Sequence, residues 1–183
     1  SKGGKHAYML LEECVPPVPD ITKDEALARL ARNYFRSHTP ATLQDFVWWS
    51  GLSVTEAKQG IYLIGSELTE EQWKGQTWYL HESGRTRGSI KGHIRFLPPY
   101  DELLLGYKDR TDVLPSEHYS KAFTGNGLFF PVILYEGQIV GNWDRKAKRN
   151  GCDPGYSLFR QESRIDEALL DKAQQQYMQF LGK

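Results

Sequence analysis

Apolar residues recur at helical spacing near the start of the chain. The pattern predicts an amphipathic helix that begins at a capping box formed by Thr22 and Glu25. The apolar positions of this helix are Ala26, Leu27, Leu30, Ala31, Tyr34 and Phe35.

Two shorter helices are predicted directly after it. Thr42 is placed to cap the first, and Gly51 supplies the backbone freedom that ends it. Ser53 and Glu56 form a second capping box for the next helix, which places Ala57, Ile61 and Ile64 on one face. "TWYLHES" then has a strand pattern. Three helices followed by a β segment is the order of a winged helix-turn-helix.

From Ile94 the pattern changes to short apolar runs typical of strands: "HIRFLPPYDELLLGY", "GLFFPVILY", "QIVGNW" and "YSLFRQE". Glu136-Gly137 between two of these runs predicts a tight hairpin turn. We expect a small curled sheet or barrel-like module, closed by a last helix that starts at Asp166 and carries Leu169, Ala173 and Tyr177.

The predicted fold class is therefore α+β. Residues 1–20 read as a strand, with Tyr8 and Leu10, and a proline-rich linker, both remnants of a preceding module. Residues 21–83 form the expected winged-helix domain, and residues 84–183 the expected barrel-like module with its C-terminal helix.

Composition narrows the function classes only slightly. Lys plus Arg equals Asp plus Glu at 23 each, so nucleic-acid affinity has to come from local patches of charge. Cys14 and Cys152 fit neither a metal site nor a disulfide framework, which favours a cytoplasmic location. No apolar run reaches the ~20 residues of a membrane span. We expect no metal, cofactor or membrane contact, and we favour a monomer.

The helix after Ser53 has the place of a base-reading helix. It turns Thr55, Lys58, Gln59 and Tyr62 outward, and Lys58 and Gln59 are candidates for DNA contact. The helix carries no arginine. Packing or non-specific backbone contact is therefore favoured over base reading.

Two basic clusters are stronger candidates for phosphate contact. The first is a glycine-punctuated loop with Arg85, Arg87 and Lys91, followed by Arg95; a solvated linker is the alternative. The second lies at the end of a predicted strand and can contact a nucleic-acid groove. The alternative is a cationic hairpin tip that only prevents aggregation. Its members are Arg145, Lys146, Lys148 and Arg149.

The segment "LPPYDELLLGYKDR" places Asp101 and Glu102 after two prolines. Adjacent residues of a strand point to opposite faces, so these carboxylates do not converge on one catalytic site. We expect a structural role, such as an ion pair between Asp101 and Arg110. No set of histidine, serine or cysteine residues assembles a catalytic or metal motif, and the catalytic residues stay unassigned.

Three segments together, "YFRSHTPATLQDFVWWSGLS", "LPPYDELLLGYKDR" and "PVILYEGQIVGNW", resemble the winged-helix DNA-binding family that includes the YcaQ-like and AlkZ-like DNA glycosylases. The resemblance spans nearly the whole chain. It implies tandem winged helices and a β-barrel-like element around duplex DNA, and excision of alkylated bases, including crosslinked ones, by characterised members.

In those glycosylases, a glutamine followed one residue later by glutamine or aspartate is catalytic and lies in an N-terminal winged helix, which would precede Ser1. Gln174 and Gln176 show the same spacing inside the final helix, where the family has no such position. The role is not carried over to them.

We therefore expect the C-terminal part of a DNA-repair protein that binds duplex DNA mainly through phosphates. A DNA glycosylase is one candidate for the full-length protein, and we expect this part alone to be inactive. A sequence-specific, transcription-factor-like regulator is the alternative, and a protein-interaction scaffold is a third reading.

Overall fold

The computed structural model describes residues 8–17, 20–84, 88–148, 151–160 and 165–180, without the side chains of 145–148 and 151–154. Its helices are α1 Leu11–Cys14, α2 Lys23–Ser37, α3 Leu43–Ser50, α4 Val54–Leu63, α5 Glu102–Leu105, α6 Tyr119–Ala122 and α7 Glu167–Phe180. Its strands are β1 Ala41–Thr42, β2 Leu68–Trp73, β3 Gln76–His81, β4 Ile94–Leu97, β5 Val132–Tyr135, β6 Gln138–Lys148 and β7 Gly151–Leu158. The predicted mixture of helices and strands is confirmed.

The three predicted helices are present with their predicted N-cap residues, although at α2 only the Thr22 half of the predicted capping box forms. The Thr22 hydroxyl accepts a hydrogen bond from the Glu25 amide at the start of α2. Reciprocal capping boxes join Thr42 to Asp45 at α3 and Ser53 to Glu56 at α4. These side chains satisfy amides that have no partner inside the helix, so each helix begins where its cap lies in the sequence.

Helices α2, α3 and α4 share one core. Tyr34, Phe35, Phe46 and Ile64 are fully buried in it. Gly60 favours the close approach of α2 and α4, because a Cβ there would make a tight contact of 3.1 Å with the Leu27 carbonyl oxygen. The pattern of apolar positions therefore identified the packing faces of α2 and α4 correctly.

A three-stranded antiparallel sheet of order β1-β3-β2 lies beside these helices. Strands β2 and β3 form a hairpin, with Trp73 opposite Gln76. Lys74 and Gly75 both have positive φ in its two-residue turn, as a type I′ turn requires.

The second sheet has the order β4-β5-β6-β7 and is antiparallel throughout. Glu136 and Gly137 have φ of 48° and 80° between β5 and β6, which confirms the predicted hairpin turn.

Of the two expected forms, a curled sheet or a barrel-like module, the closed barrel is not formed in the part of the chain that the structure describes, where β4 and β7 remain separate edges. Both faces of the sheet are covered by other elements. Ile133 packs in a core with Trp143 and Leu170 of α7, whereas Val132 packs in a second core with Leu104 of α5. Because neighbouring residues of β5 point to opposite faces, the sheet lies between two apolar layers and does not enclose one interior.

The expected N-terminal strand is also absent from its described part, residues 8–14. Tyr8 and Leu10 lie outside regular structure, and α1 follows as a short exposed helix. A strand needs a neighbour for its backbone hydrogen bonds, and none of the described strands lies beside this segment. The local bond from the Val15 amide to the Leu11 carbonyl forms in its place.

Candidate nucleic-acid interface

The outward face of α4 presents Thr55, Lys58, Gln59 and Tyr62 to solvent, as predicted. Glu56 stands on the same helix, but its carboxylate is occupied. It pairs with the Lys23 ammonium at 2.7 Å and accepts from the Ser53 hydroxyl at 2.7 Å. These contacts lower the pKa of Glu56 to about 2, the hydrogen bond from Lys23 being the largest cause. The face therefore has one exposed cation, Lys58, beside a carboxylate neutralised by Lys23.

The β2–β3 hairpin is poorly suited to phosphate. Glu70 and Glu71 are exposed on β2. The Lys74 ammonium at the tip is paired with Asp112, which follows β4 in the chain. It also lies 4.2 Å from the centre of the Trp73 ring. The tip is thus attached to the body of the molecule.

The first basic loop is described only in part. Arg85 and Arg87 lie outside the described residues, whereas Lys91 is exposed. The Gly92 amide donates to the Glu136 carboxylate at 2.7 Å, so this loop lies against the β5–β6 turn and has an acidic neighbour.

The second cluster lies on the β6–β7 hairpin. Arg145, Lys146 and Lys148 occupy the last four positions of β6, in register with Pro154, Asp153 and Gly151 of β7, and Arg149 lies outside the described residues. Seven residues at about 3.3 Å each, roughly 23 Å, separate Gln138 from Arg145 along β6. Gly92 of the first loop lies against the β5–β6 turn, so it and Arg145 lie near opposite ends of β6.

The segment from Asp101 to Arg110 is structural, but not through the expected ion pair. Asp101 caps α5 by accepting from the Leu103 amide at 3.0 Å. Arg110 is buried, and its guanidinium donates to the carbonyl oxygens of Leu104 and Lys108. The carbonyl oxygens of Leu104 and Lys108 therefore take the place of the Asp101 carboxylate in the expected pair. Burial lowers the pKa of Arg110.

The same segment joins the helical unit to the second sheet. The buried Asp45 carboxylate accepts from the Thr42 amide, the Thr42 hydroxyl and the Lys108 amide at 2.9, 2.7 and 2.8 Å. The Tyr34 hydroxyl donates to the Gly106 carbonyl at 2.8 Å, and burial raises its pKa so that it stays a donor. These contacts fix one unit on the other.

A cavity of about 620 Å³ lies where the units meet, and Thr42, Gln76, Lys108 and Asp109 are among its lining residues. The Asp109 carboxylate is held by the amide and hydroxyl of Thr111, which lower its pKa. Within the described residues, no group of histidine, cysteine and acidic side chains is arranged for a metal ion. No described helix is both long and apolar enough to cross a membrane.

Sequence reasoning missed the surroundings of Arg110. Its guanidinium lies within 5.7 Å of the ring centres of Trp48, Phe123 and Phe129. The sequence has aromatic residues next to a glycine in "FVWWSG" and next to two prolines in "PPYDE". Neither pattern predicts that aromatic rings surround one arginine.

Gln174 and Gln176 both lie in α7, the helix that packs on β4 and β7. Both glutamines therefore belong to a helix that packs against the second sheet.

Comparison with known proteins identifies the family. The model of the AlkZ-like DNA glycosylase family matches residues 1–180. An interstrand DNA cross-link repair glycosylase of Streptomyces sahachiroi is 29% identical over 128 residues, which are 66% of this chain and 34% of that protein. The solved structure of the Streptomyces sahachiroi DNA glycosylase AlkZ matches with a TM-score of 0.71 at 24% identity, over 85% of this chain and 43% of that one. The chain thus spans less than half the length of the relatives it matches.

Proposed function

This chain belongs to the AlkZ-like DNA glycosylase family, and on that premise we propose that it holds duplex DNA through its phosphates as part of a repair protein. The observation that carries the proposal is the hairpin of β6 and β7, whose end concentrates Arg145, Lys146 and Lys148 on four consecutive positions of one strand, followed by Arg149. A duplex presents closely spaced phosphates along each strand, and a concentration of cations at one end of a hairpin suits contact with them.

We further propose that residues 21–83 act as a winged helix. The order of α2, β1, α3 and α4 followed by the β2–β3 hairpin supports it, as does the pairing of β1 with β3. The exposed Lys58 and Gln59 give α4 the chemistry for contact with a phosphate or a base edge.

Repair activity belongs to the proposal for the whole protein. The Streptomyces relative is a cross-link repair glycosylase, and the chain covers 34% of it. Because the chain covers only about a third of that relative, we assign this chain to DNA binding and base release to the complete protein.

The proposed phosphate contacts are tested by replacing four residues with alanine together: Arg145, Lys146, Lys148 and Arg149. The matched control removes four exposed cations elsewhere, Arg29, Arg36, Lys121 and Lys172. Binding of a fully paired duplex is measured over a range of salt concentrations. The hairpin variant should bind more weakly at low salt, and each lost phosphate contact should reduce the slope of log K against log salt by about 0.9. Equal losses in both variants would show that only total charge matters.

A glycosylase assay tests the second half of the proposal. The full-length protein on alkylated duplex DNA should release the damaged base, and this chain alone should not. If the full-length protein releases no base but strongly prefers one paired sequence, the regulator alternative is supported; exposed Gln59 is the feature that favours it.

A further inference from the structure

A buried histidine lies where the helical unit meets α5. His38 follows the last residue of α2 and is 7% exposed, and its backbone amide donates to the Tyr34 carbonyl at 2.8 Å. Its Nε2 atom lies 3.2 Å from a carboxylate oxygen of Glu102, the first residue of α5. Leu104 of α5 packs in a core of the second sheet, so the titratable ring makes a direct contact between the two units.

The Nδ1 atom of His38 faces two oxygen atoms of α2. The Ser37 hydroxyl oxygen lies 2.8 Å away, and the Tyr34 carbonyl oxygen lies 3.3 Å away. The Ser37 hydroxyl donates its own proton to the Asn33 carbonyl at 2.9 Å, so its oxygen is left to accept. Both neighbours of Nδ1 are then acceptors, and they favour a ring that carries a proton on this atom.

The Nε2 atom faces the Glu102 carboxylate, which is also an acceptor. A neutral imidazole has a single N–H group, whereas the protonated ring has two and donates on both sides at once. The neutral ring leaves one side without a donor unless Ser37 gives up its hydrogen bond to Asn33. Protonation therefore completes the hydrogen bonds of His38 and adds the attraction of an ion pair.

The surroundings of the ring also favour a positive charge. The Tyr34 ring is stacked on it, with 4.6 Å between the centres and 8° between the planes. The Trp49 and Tyr107 ring centres lie at 5.8 and 5.7 Å. The face of an aromatic ring attracts a cation, and so do the carbonyl groups at the C-terminal end of a helix. Burial acts in the opposite direction, because it disfavours the charged form.

Tyrosine and carboxylate side chains are the other titratable groups around the ring. Burial raises the pKa of Tyr34 and of Tyr107, with the Asp45 carboxylate of α3 as a further cause for both, so both phenols stay neutral. Arg36 on α2 is exposed, and solvent screens its charge. Among the described residues, Glu102 is the carboxylate in contact with the ring.

We propose that His38 and Glu102 form a pH-dependent salt bridge that stabilises the junction of the two units. Histidine changes its charge between about pH 5 and pH 8. The protonated ring makes contacts that the neutral ring does not make. The stabilisation is therefore complete at the acidic end of this range and is lost as the pH rises through it.

The salt bridge affects DNA contact through the orientation of the units, a consequence that rests on the proposed DNA-binding function. Lys58 lies on α4 in the helical unit, and the cationic cluster lies on β6 in the second sheet. A rigid junction fixes both groups before DNA binds, which lowers the cost of ordering them. His38 acts in this way as a positioning residue.

Nuclear magnetic resonance tests the salt bridge without DNA. The ring signals of His38 are followed from about pH 5 to pH 8.5 in the wild type and in Glu102→Gln. The variant keeps an oxygen acceptor but has no charge, so its His38 ring should change charge at a lower pH than the wild-type ring. Glu71→Gln is the matched control, because it removes the same charge from exposed β2 and should leave the His38 signals unchanged.

Unfolding in urea measures the effect on stability. The folding equilibrium constant of the wild type should exceed that of Glu102→Gln by about 2- to 5-fold near pH 5.5, the range of a partly exposed ion pair, and by less near pH 8.5. In a His38→Gln background, Glu102→Gln should have the same effect at both pH values. In a His93→Gln background, which replaces an exposed histidine, the difference between the two pH values should remain.

Two results would overturn the proposal. One is a His38 ring that titrates alike in the wild type and in Glu102→Gln. The other is a loss of stability in Glu102→Gln that is equal at both pH values, because Glu102 would then be a structural contact that does not depend on the charge of His38.

Binding of a fully paired duplex separates this inference from the proposed function. Relative to Glu102→Gln, the wild type should lose affinity for the duplex as the pH rises from about 6 to 8. Duplex binding with an unchanged His38 titration would reject the salt bridge and leave the proposed function standing. A shifted titration in a chain that binds no duplex at either pH would support the salt bridge and reject the proposed function. A shifted titration with a constant ratio of duplex affinities would reject the positioning role.

Discussion

Asp45 shows how one buried side chain holds two parts of the molecule together. It caps α3 through Thr42, and its other oxygen accepts from the Lys108 amide, 63 residues further along the chain. A carboxylate offers only acceptors, so it satisfies all of these donors at once.

Asp45→Asn should lower the free energy of unfolding by about 1–3 kcal/mol, because an amide replaces one acceptor by a donor and leaves a buried group unsatisfied. Urea denaturation measures the effect. The control Asp171→Asn removes the same charge from an exposed position on α7 and should change stability little. A loss of equal size in both variants would assign the effect to net charge.

Gly106 is the second residue on which the junction depends. A Cβ at this position would lie 2.3 Å from the ring of buried His38 and 2.8 Å from the Glu102 carbonyl oxygen. This close approach of the Gly106 backbone to α2 lets the Tyr34 hydroxyl donate to the Gly106 carbonyl.

Gly106→Ala should therefore destabilise the protein by about 1–3 kcal/mol, the usual cost of overpacking. Thermal or urea unfolding checks it. Gly65→Ala is matched, because nothing lies within 4 Å of a Cβ built there, and it should be close to neutral. If both variants unfold at the same denaturant concentration, the close packing of Gly106 against His38 does not contribute to stability.

At the scale of elements, the start of α4 is fixed by charge as well as by its cap. Glu56 bonds to Ser53 inside the capping box and to Lys23 at the first turn of α2. One carboxylate thus closes α4 and ties it to α2.

These contacts predict a pH dependence. The pKa of folded Glu56 is lowered to about 2 from its ordinary 4.5, so its contribution is complete above about pH 4.5 and is lost as the pH falls toward 2. Glu56→Gln should reduce the fall in urea midpoint across that range. Glu71→Gln makes the same change of charge on exposed β2 and should leave the fall in urea midpoint unchanged. If Glu56→Gln shows the same fall in urea midpoint at low pH as the wild type, the proposed role of Glu56 is contradicted.

The whole molecule consists of a helical unit and a sheet unit with separate cores, joined by residues 98–113. The proposed DNA contacts are divided between them, with Lys58 on α4 and the cationic cluster on β6. If one duplex touches both units, their phosphate contacts contribute independently to the salt dependence.

Lys58→Ala should then lower the salt slope by up to about 0.9, and its effect should add to that of the hairpin substitutions when the two are combined. Titrations of a fully paired duplex at several salt concentrations measure both slopes. A combined variant that behaves like the hairpin variant alone would remove α4 from the interface.

The sequence by itself determined the local elements. Thr42, Ser53 and Gly51 mark helix ends because caps act within four residues, and Glu136-Gly137 marks a hairpin because two adjacent residues adopt positive φ. Even so, the strand predicted at Tyr8 failed, since a strand depends on a neighbour that its own residues do not specify.

Only the tertiary structure decided what these elements build. An open sheet forms in place of a barrel because separate apolar layers cover both of its faces. Arg110 meets carbonyl groups and three rings, not Asp101, and Tyr34 meets Gly106 across 72 residues. Such contacts depend on how distant segments pack, and periodicity along a chain carries no information about which segment lies opposite.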